Sequence, residues 1–239
     1  MISNLKYRFK VFFIGILIIP TISHSQDVEK WENLKFSGIK KNEYVINEDG
    51  VIDILMDDSS SLLYRKISDR EKETSLLSWQ WKITEGFPAT SMANSDEDDR
   101  PVAVHIWFPK EKSDKNKGLK EFFGRLFGYD FPGRVITYVW GGTENERDFL
   151  ENPHFKERGF IIIQKSGLFE SDDWIEEQVN FREDYEKIFN EQAPNPTHVA
   201  ISGDSDHSHV TAKSSVQMIK FSGTVETTPN TAINMESNE

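Results

Sequence analysis

Hydrophobic, aromatic and β-branched residues recur along this chain in short runs that polar turns separate. Runs of this length and composition are typical of strands. We therefore predict ten strands, which span residues 31–36, 44–47, 51–56, 62–67, 76–84, 102–109, 134–141, 160–165, 198–202 and 215–221. Because helical stretches do not alternate with these strands, we expect a mainly β protein, an antiparallel β-sandwich or jelly roll with one or two short helices.

Two segments have the character of helices. In residues 180–189 the aromatic residues recur every four positions, so that they share one face. Asn180 stands where it can cap the first turn, and Glu183 follows it at the spacing of a capping box. Residues 119–127 form a second, shorter candidate that a glycine interrupts.

The beginning of the chain has the pattern of a signal peptide over residues 1–25. Three basic residues precede an apolar run that is too short to cross a membrane, and small residues flank His24 in a cleavage-type motif. We predict cleavage after Ser25 and hence an exported protein, periplasmic or secreted; a retained N-terminal anchor is the alternative. We also predict one folded domain over residues 27–223 and a disordered tail over 224–239, which has almost no apolar residues.

The composition excludes several classes of protein. The chain has 28 Lys and Arg against 40 Asp and Glu, and a net charge of −12, so it lacks the basic surface that general nucleic-acid binding needs. It has no Cys, which excludes a disulfide scaffold, a thiolate zinc site and a cysteine nucleophile. No P-loop, G-x-S-x-G, H-E-x-x-H or dinucleotide-binding pattern is present.

Five sequence blocks occur in order along the chain. They are LSWQWKI at 77–83, DDRPVAV at 98–104, TYVW at 137–140, the helix 180–189 followed by Pro194, and DSD at 204–206. Together they resemble the bacterial domain-of-unknown-function 3047 family over residues 43–221. Asn190 departs from the pattern, because the family favours Gly there. The resemblance implies a single exported domain, and it carries no activity that applies to this chain.

Two neighbouring predicted strands are rich in rings. Side chains alternate between the faces of a strand, and by this rule Trp79 and Trp81 share an apolar face and belong to the core. If the strands 102–109 and 134–141 are neighbours, a concave surface suited to sugar rings is formed by His105, Trp107, Tyr138 and Trp140. The alternative is that the helix 180–189 packs on this face.

A metal site is a second candidate. Asp204 and Asp206 follow a strand and are two residues apart, so both can direct oxygens at one hard cation such as Ca²⁺. His207 and His209 have the same spacing and offer a transition-metal site instead. A solvated turn, in which the Asp side chains cap backbone amides, is the third interpretation.

Other charged residues leave further alternatives open. The acidic run 96–99 is either a solvated loop or a cluster whose mutual repulsion raises a carboxyl pKa enough for a general acid. Arg65 and Arg182 stand in apolar surroundings, where each either pairs with a carboxylate or binds an anionic ligand.

Three functions are compatible with the sequence. The first is a non-catalytic exported domain that binds a carbohydrate or another envelope ligand through the ring-rich face and Arg182. The second is a hydrolase or lyase of an envelope polysaccharide, with Asp99, Asp204 or Asp206 as acid and base; it needs two carboxyl groups about 5–10 Å apart in one cleft. The third is a structural assembly protein, whose acidity favours basic partners.

Overall fold

Two β-sheets face each other in the computed structural model of the protein, which describes residues 30–109, 133–144, 146, 149–167 and 172–224. Within these residues the elements are β1 (Glu32–Lys35), β2 (Glu43–Ile46), β3 (Ile52–Asp57), β4 (Ser60–Lys66), α1 (Asp69–Lys72), β5 (Leu76–Glu85), β6 (Arg100–Phe108), β7 (Arg134–Trp140), β8 (Phe149–Asn152), β9 (Lys156–Lys165), β10 (Ile175–Asn180), α2 (Phe181–Phe189), β11 (His198–Asp204) and β12 (Thr211–Ser222). The mainly β sandwich that the sequence predicts is confirmed. Neither described helix has the length and apolar character needed to cross a membrane.

The sheets differ in size. One has seven strands in the order β1-β4-β11-β6-β7-β9-β8, and the other has five in the order β10-β5-β12-β3-β2. Neighbouring strands are antiparallel, except that β7 and β9 are parallel. This order matters for the site, because the end of β11 lies beside the start of β6, where Asp204 pairs with Arg100.

The main core lies between the two sheets. Trp79 and Trp81 of the five-stranded sheet are buried there, so their predicted place in the core is confirmed. Their rings meet rings of the opposite sheet: Trp79 contacts Tyr138 with centroids 5.5 Å apart, and Trp81 contacts Trp140 at 5.9 Å. Full burial of a large apolar side chain stabilises the folded state by about 1.5–3 kcal/mol, so these contacts make a large contribution to sandwich stability.

All ten predicted strands are present, with ends shifted by a few residues. The strands β8 and β10 and the short helix α1 were not predicted. The signal for α1 is nevertheless in the sequence, because Ser68 caps it and Glu71 completes a capping box. The predicted signal peptide, the helix 119–127 and the tail after residue 224 lie outside the described residues.

The helix α2 closes one end of the sandwich. Asn180 caps it, since its side chain accepts hydrogen bonds from the backbone of Arg182 and Glu183, each at 3.3 Å. Tyr185 packs on Phe108 in the core, with ring centroids 4.5 Å apart. The helix ends at Asn190, whose φ of +52° lies in the left-handed region that Gly and Asn adopt most readily, which explains how Asn stands where the family favours Gly.

Candidate functional site

The four side chains predicted to share a ring-rich surface lie on opposite faces of the seven-stranded sheet. Strands β6 and β7 are neighbours, but their register places His105 opposite Thr137 and not opposite Tyr138. Tyr138 and Trp140 consequently point into the core, and both are fully buried. His105 and Trp107 point to the other side. The predicted shared surface is wrong, because alternation within each strand does not determine the register between strands.

The outward side chains are buried as well. Trp107 is only 4% exposed and stacks on Tyr64, with ring centroids 5.2 Å apart. The ring nitrogens of His105 lie 2.8 Å from the hydroxyl of Ser202 and 3.0 Å from that of Thr137. Burial, aided by the charge of Arg100, holds the pKa of His105 well below 6.5, so the imidazole is neutral.

The Ser202–His105–Thr137 arrangement does not amount to a catalytic triad. Ser202 is buried in the middle of β11. The third member is a hydroxyl, which lacks the negative charge that stabilises an imidazolium during acyl transfer. These three residues therefore form a structural hydrogen-bond network.

The two arginines have partners within the chain. Arg182 donates hydrogen bonds to the carbonyls of Lys72, Thr74 and Ala193 and to the side chain of Asn195. Arg65 forms a bidentate pair with Glu71, with N–O distances of 2.9 and 3.1 Å. The geometry thus gives both guanidinium groups a structural role, and the role of Arg182 in ligand binding stays a prediction.

The two acidic segments of the sequence meet at one end of the sandwich. One carboxylate oxygen of Asp99 accepts the backbone N–H of Ser208 at 2.6 Å, and the other accepts that of His207 at 3.3 Å. Because β6 and β11 are antiparallel neighbours, the loop before β6 lies against the loop after β11. We call the resulting group the acidic end cluster; it consists of Asp98, Asp99, Arg100, His154, Asp204, Asp206 and His207.

One half of the acidic end cluster is well paired. Asp98 is 1% exposed, and both of its carboxylate oxygens lie 3.1 Å from Nε2 of His154. Arg100 contacts the same carboxylate at 3.3 Å and the backbone carbonyl of Asp98 at 2.7 Å. Burial opposes ionisation of Asp98, but His154 and Arg100 outweigh it and hold its pKa below the usual value.

The other half contains an unsatisfied carboxylate. Asp204 is 9% exposed, and one of its oxygens lies 3.5 Å from Arg100. The second oxygen, Oδ1, is buried without a hydrogen-bond partner among the described residues, and so is Nε of Arg100. Burial raises the pKa of Asp204 well above 3.8; Arg100 opposes this rise, and the neighbouring Asp206 adds to it.

Three possible metal ligands lie beside Asp204. One ligand atom each from Asp99, Asp206 and His207 can be chosen so that all three atoms lie within 4.8 Å of one another. Nδ1 of His207 is 3.5 Å from Asp99 and 3.6 Å from Asp206. The site combines a buried carboxylate, a half-buried carboxylate and a partly exposed imidazole, so it is accessible from one side.

Parts of the two predicted acidic sites lie apart from the cluster. His209 does not join His207 but pairs with the exposed Asp58 at 2.7 Å, so the predicted pair of histidines does not converge. Asp96 and Glu97 are exposed, whereas the other two carboxylates of that run are buried. Sequence reasoning missed His154, because it stands in the turn between β8 and β9 without any motif around it.

Several solved structures have a distantly similar fold. The endoglucanase cel12A from Rhodothermus marinus is 11% identical, with a TM-score of 0.43 over 80% of this chain and 90% of its own. The family 11 carbohydrate-binding module from Clostridium thermocellum is 11% identical, with a TM-score of 0.37 over 84% and 92%. The xyloglucanase domain of NopAA from Sinorhizobium fredii is 10% identical, with a TM-score of 0.41 over 80% and 93%. These similarities are too low to assign a ligand or an activity.

Sequence comparison places the chain in a family. No curated protein matches it. A family model does match over residues 29–220, which include both described helices and every described strand except the last two residues of β12. The match agrees with the five-block resemblance, and the chain belongs to the family described as protein of unknown function (DUF3047).

Proposed function

We propose that the protein is an exported, non-catalytic domain that binds a carbohydrate or a similar hydroxyl-rich envelope ligand at the acidic end cluster. The observation that carries the proposal is a pair of unsatisfied groups, the acceptor Oδ1 of Asp204 and the donor Nε of Arg100, both buried and in one ion pair. A hydroxyl group donates one hydrogen bond and accepts others, so a sugar can satisfy both groups at once.

The charge of the cluster favours a neutral ligand. Four aspartates face one arginine and two histidines there, so carboxyl groups outnumber the basic groups of the site. The whole chain is also acidic, with a net charge of −12. Like charges repel and would weaken binding of an anionic polymer. Neutral sugars avoid this repulsion and still offer many hydroxyl groups to the carboxylates.

The short separation of Asp204 and Asp206 argues against hydrolysis by that pair of carboxyl groups. Asp204 and Asp206 are close enough for a hydrogen bond between the two side chains to raise the pKa of Asp204. Glycoside hydrolysis instead places its two carboxyl groups about 5–10 Å apart, on either side of the bond that is cleaved. The Asp204–Asp206 pair therefore does not have the spacing that the hydrolase hypothesis requires.

Calorimetric titration of the mature protein with neutral envelope-type oligosaccharides, with uronic-acid oligosaccharides for comparison, tests the proposal. We expect a neutral oligosaccharide to bind, and Asp204→Asn to weaken it about tenfold, since the amide oxygen still accepts a hydrogen bond but lacks the charge that strengthens it by about 1–1.5 kcal/mol. Glu176→Gln, an exposed change on β10, is the matched control. Binding of no saccharide, or equal affinity in Asp204→Asn, would contradict the proposal.

N-terminal sequencing of the periplasmic or secreted protein tests export, with Gln26 as the expected first residue.

A further inference from the structure

We infer that the acidic end cluster holds a divalent cation, with Asp99, Asp206 and His207 as its ligands. We expect this cation to hold hydroxyl groups of the ligand, and its role in ligand binding rests on the proposed function. The presence of the cation is independent of the proposed function, because it is inferred from the arrangement of the side chains alone.

The spacing of the ligand atoms fits a metal. Nδ1 of His207 lies 3.5 Å from Oδ1 of Asp99 and 3.6 Å from Oδ1 of Asp206. A tetrahedral ion with bonds of about 2.0–2.2 Å separates its ligand atoms by about 3.3–3.6 Å. The two distances from His207 are therefore those expected between ligands of one ion, and all three ligand atoms lie within 4.8 Å of one another. Asp99 is also held in place, because its carboxylate accepts two backbone N–H groups, as supporting contacts around a metal site do.

Asp204 provides an independent indication of a missing partner. Its Oδ1 is buried, and no described residue donates a hydrogen bond to it. Direct contact of His207 with the carboxylates of Asp99 and Asp206 explains the distances of 3.5 and 3.6 Å, but it leaves Oδ1 of Asp204 unsatisfied. A buried carboxylate without compensation is costly, whereas a cation beside it removes that cost.

The donor set indicates the type of metal. Two carboxylates and one imidazole match Zn²⁺ or Mn²⁺ better than Ca²⁺, which prefers oxygen ligands alone. Of the two aspartates predicted to bind calcium, only Asp206 belongs to this group, and the imidazole of His207 shifts the preference away from Ca²⁺. His207 is partly exposed, so the open side of the ion faces solvent and is available to hydroxyl groups of a ligand.

The experiment is a titration of chelator-treated, dialysed protein with Zn²⁺, Mn²⁺ and Ca²⁺ separately, followed by calorimetry and thermal unfolding. We expect Zn²⁺ or Mn²⁺ to bind with a Kd well below about 1 mM and to raise Tm. Asp206→Asn and His207→Ala should each weaken binding at least about tenfold. Both residues are partly exposed, so neither variant depends on repacking the core.

His209→Ala is the matched control. His209 is two residues from His207 and also pairs with an aspartate, Asp58, but it lies outside the cluster. Its loss should leave metal affinity unchanged. The inference is overturned if neither Zn²⁺ nor Mn²⁺ binds at about 1 mM, if His207→Ala binds like the wild type, or if His209→Ala weakens binding equally.

Saccharide binding with and without chelator separates the two proposals. Metal binding without any saccharide binding would refute the proposed function and leave the cation site standing. Saccharide binding by a protein that takes up no metal would refute the cation site and leave the proposed function standing. Saccharide affinity that falls in chelator and returns with the metal supports both.

Discussion

The carboxylate of Asp99 and the backbone N–H of Ser208 are joined by a hydrogen bond of 2.6 Å, although the two residues are 109 positions apart. Asp99 is almost fully buried, so the bond fixes the loop after β11 against the loop before β6. This contact holds His207 beside the acidic residues. The candidate site therefore depends on Asp99 both as a structural anchor and as a possible ligand.

Asp204→Asn should stabilise the metal-free protein at neutral pH. The pKa of Asp204 is raised in the folded state, so the folded protein holds a proton that the unfolded chain releases as pH rises above 3.8. The free energy of unfolding consequently falls as pH rises towards the folded-state pKa. Removing the buried charge should add about 1–3 kcal/mol near pH 7.5. Urea unfolding in EDTA measures this gain.

The gain from Asp204→Asn should shrink towards pH 4, because the wild-type carboxyl is then neutral too. Glu176→Gln, at an exposed position, should change the free energy of unfolding by less than about 0.5 kcal/mol. If the effect of Asp204→Asn on the free energy of unfolding did not depend on pH, the effect would come from packing and not from ionisation of Asp204.

His105→Gln should make stability less dependent on pH. The pKa of His105 is well below 6.5 in the folded state, so as pH falls below 6.5 the unfolded chain takes up a proton that the folded protein refuses. The free energy of unfolding of the wild type should therefore fall between about pH 7 and pH 5. The variant should lose part of this slope, and about 1–3 kcal/mol at pH 7.5 through its broken hydrogen bonds.

His209→Gln provides the contrast in the same urea series. Asp58 raises the pKa of His209, so this pair contributes stability that is present below pH 6.5 and is lost as pH rises through the folded-state pKa. His209→Gln should leave the fall towards low pH in place. If His105→Gln keeps the full slope, another buried group is responsible for it.

Arg182→Met should reduce stability by about 3 kcal/mol or more, because it leaves buried carbonyl groups without their donor. Arg70→Met on the exposed side of α1 should cost less than about 0.5 kcal/mol. Thermal unfolding measures both effects. A stable Arg182→Met protein that has lost its ligand would support the predicted ligand-binding role of Arg182.

Trp140→Ala should lower the free energy of unfolding by about 3–5 kcal/mol, since the side chain is fully buried against Trp81. Trp140→Phe should cost less, because a ring remains between the sheets. Saccharide titration of the Phe variant is the informative measurement. Wild-type affinity is expected, whereas a selective loss of affinity with little change in Tm would point to a sugar platform at Trp140.

The sequence was sufficient for ten of the twelve described strands and for the place of Trp79 and Trp81 in the core, because alternation and β-branched runs report local structure. It did not determine how β6 pairs with β7, and His105 was therefore grouped with Tyr138 from the opposite face. The two acidic segments were both recognised, but their meeting was not, since it depends on the adjacency of β6 and β11. His154 had no local signal at all.

The long sequence separation between Asp99 and Ser208 means that the two halves of the site are synthesised at different times. During synthesis the acidic loop before β6 emerges more than a hundred residues before the backbone amides that orient it. The carboxylate of Asp99 cannot accept hydrogen bonds from the backbone of His207 and Ser208 until the loop after β11 has been synthesised. The site therefore requires both the loop before β6 and the loop after β11 to be in place, and a ligand or ion that binds there stabilises molecules in which both loops are folded.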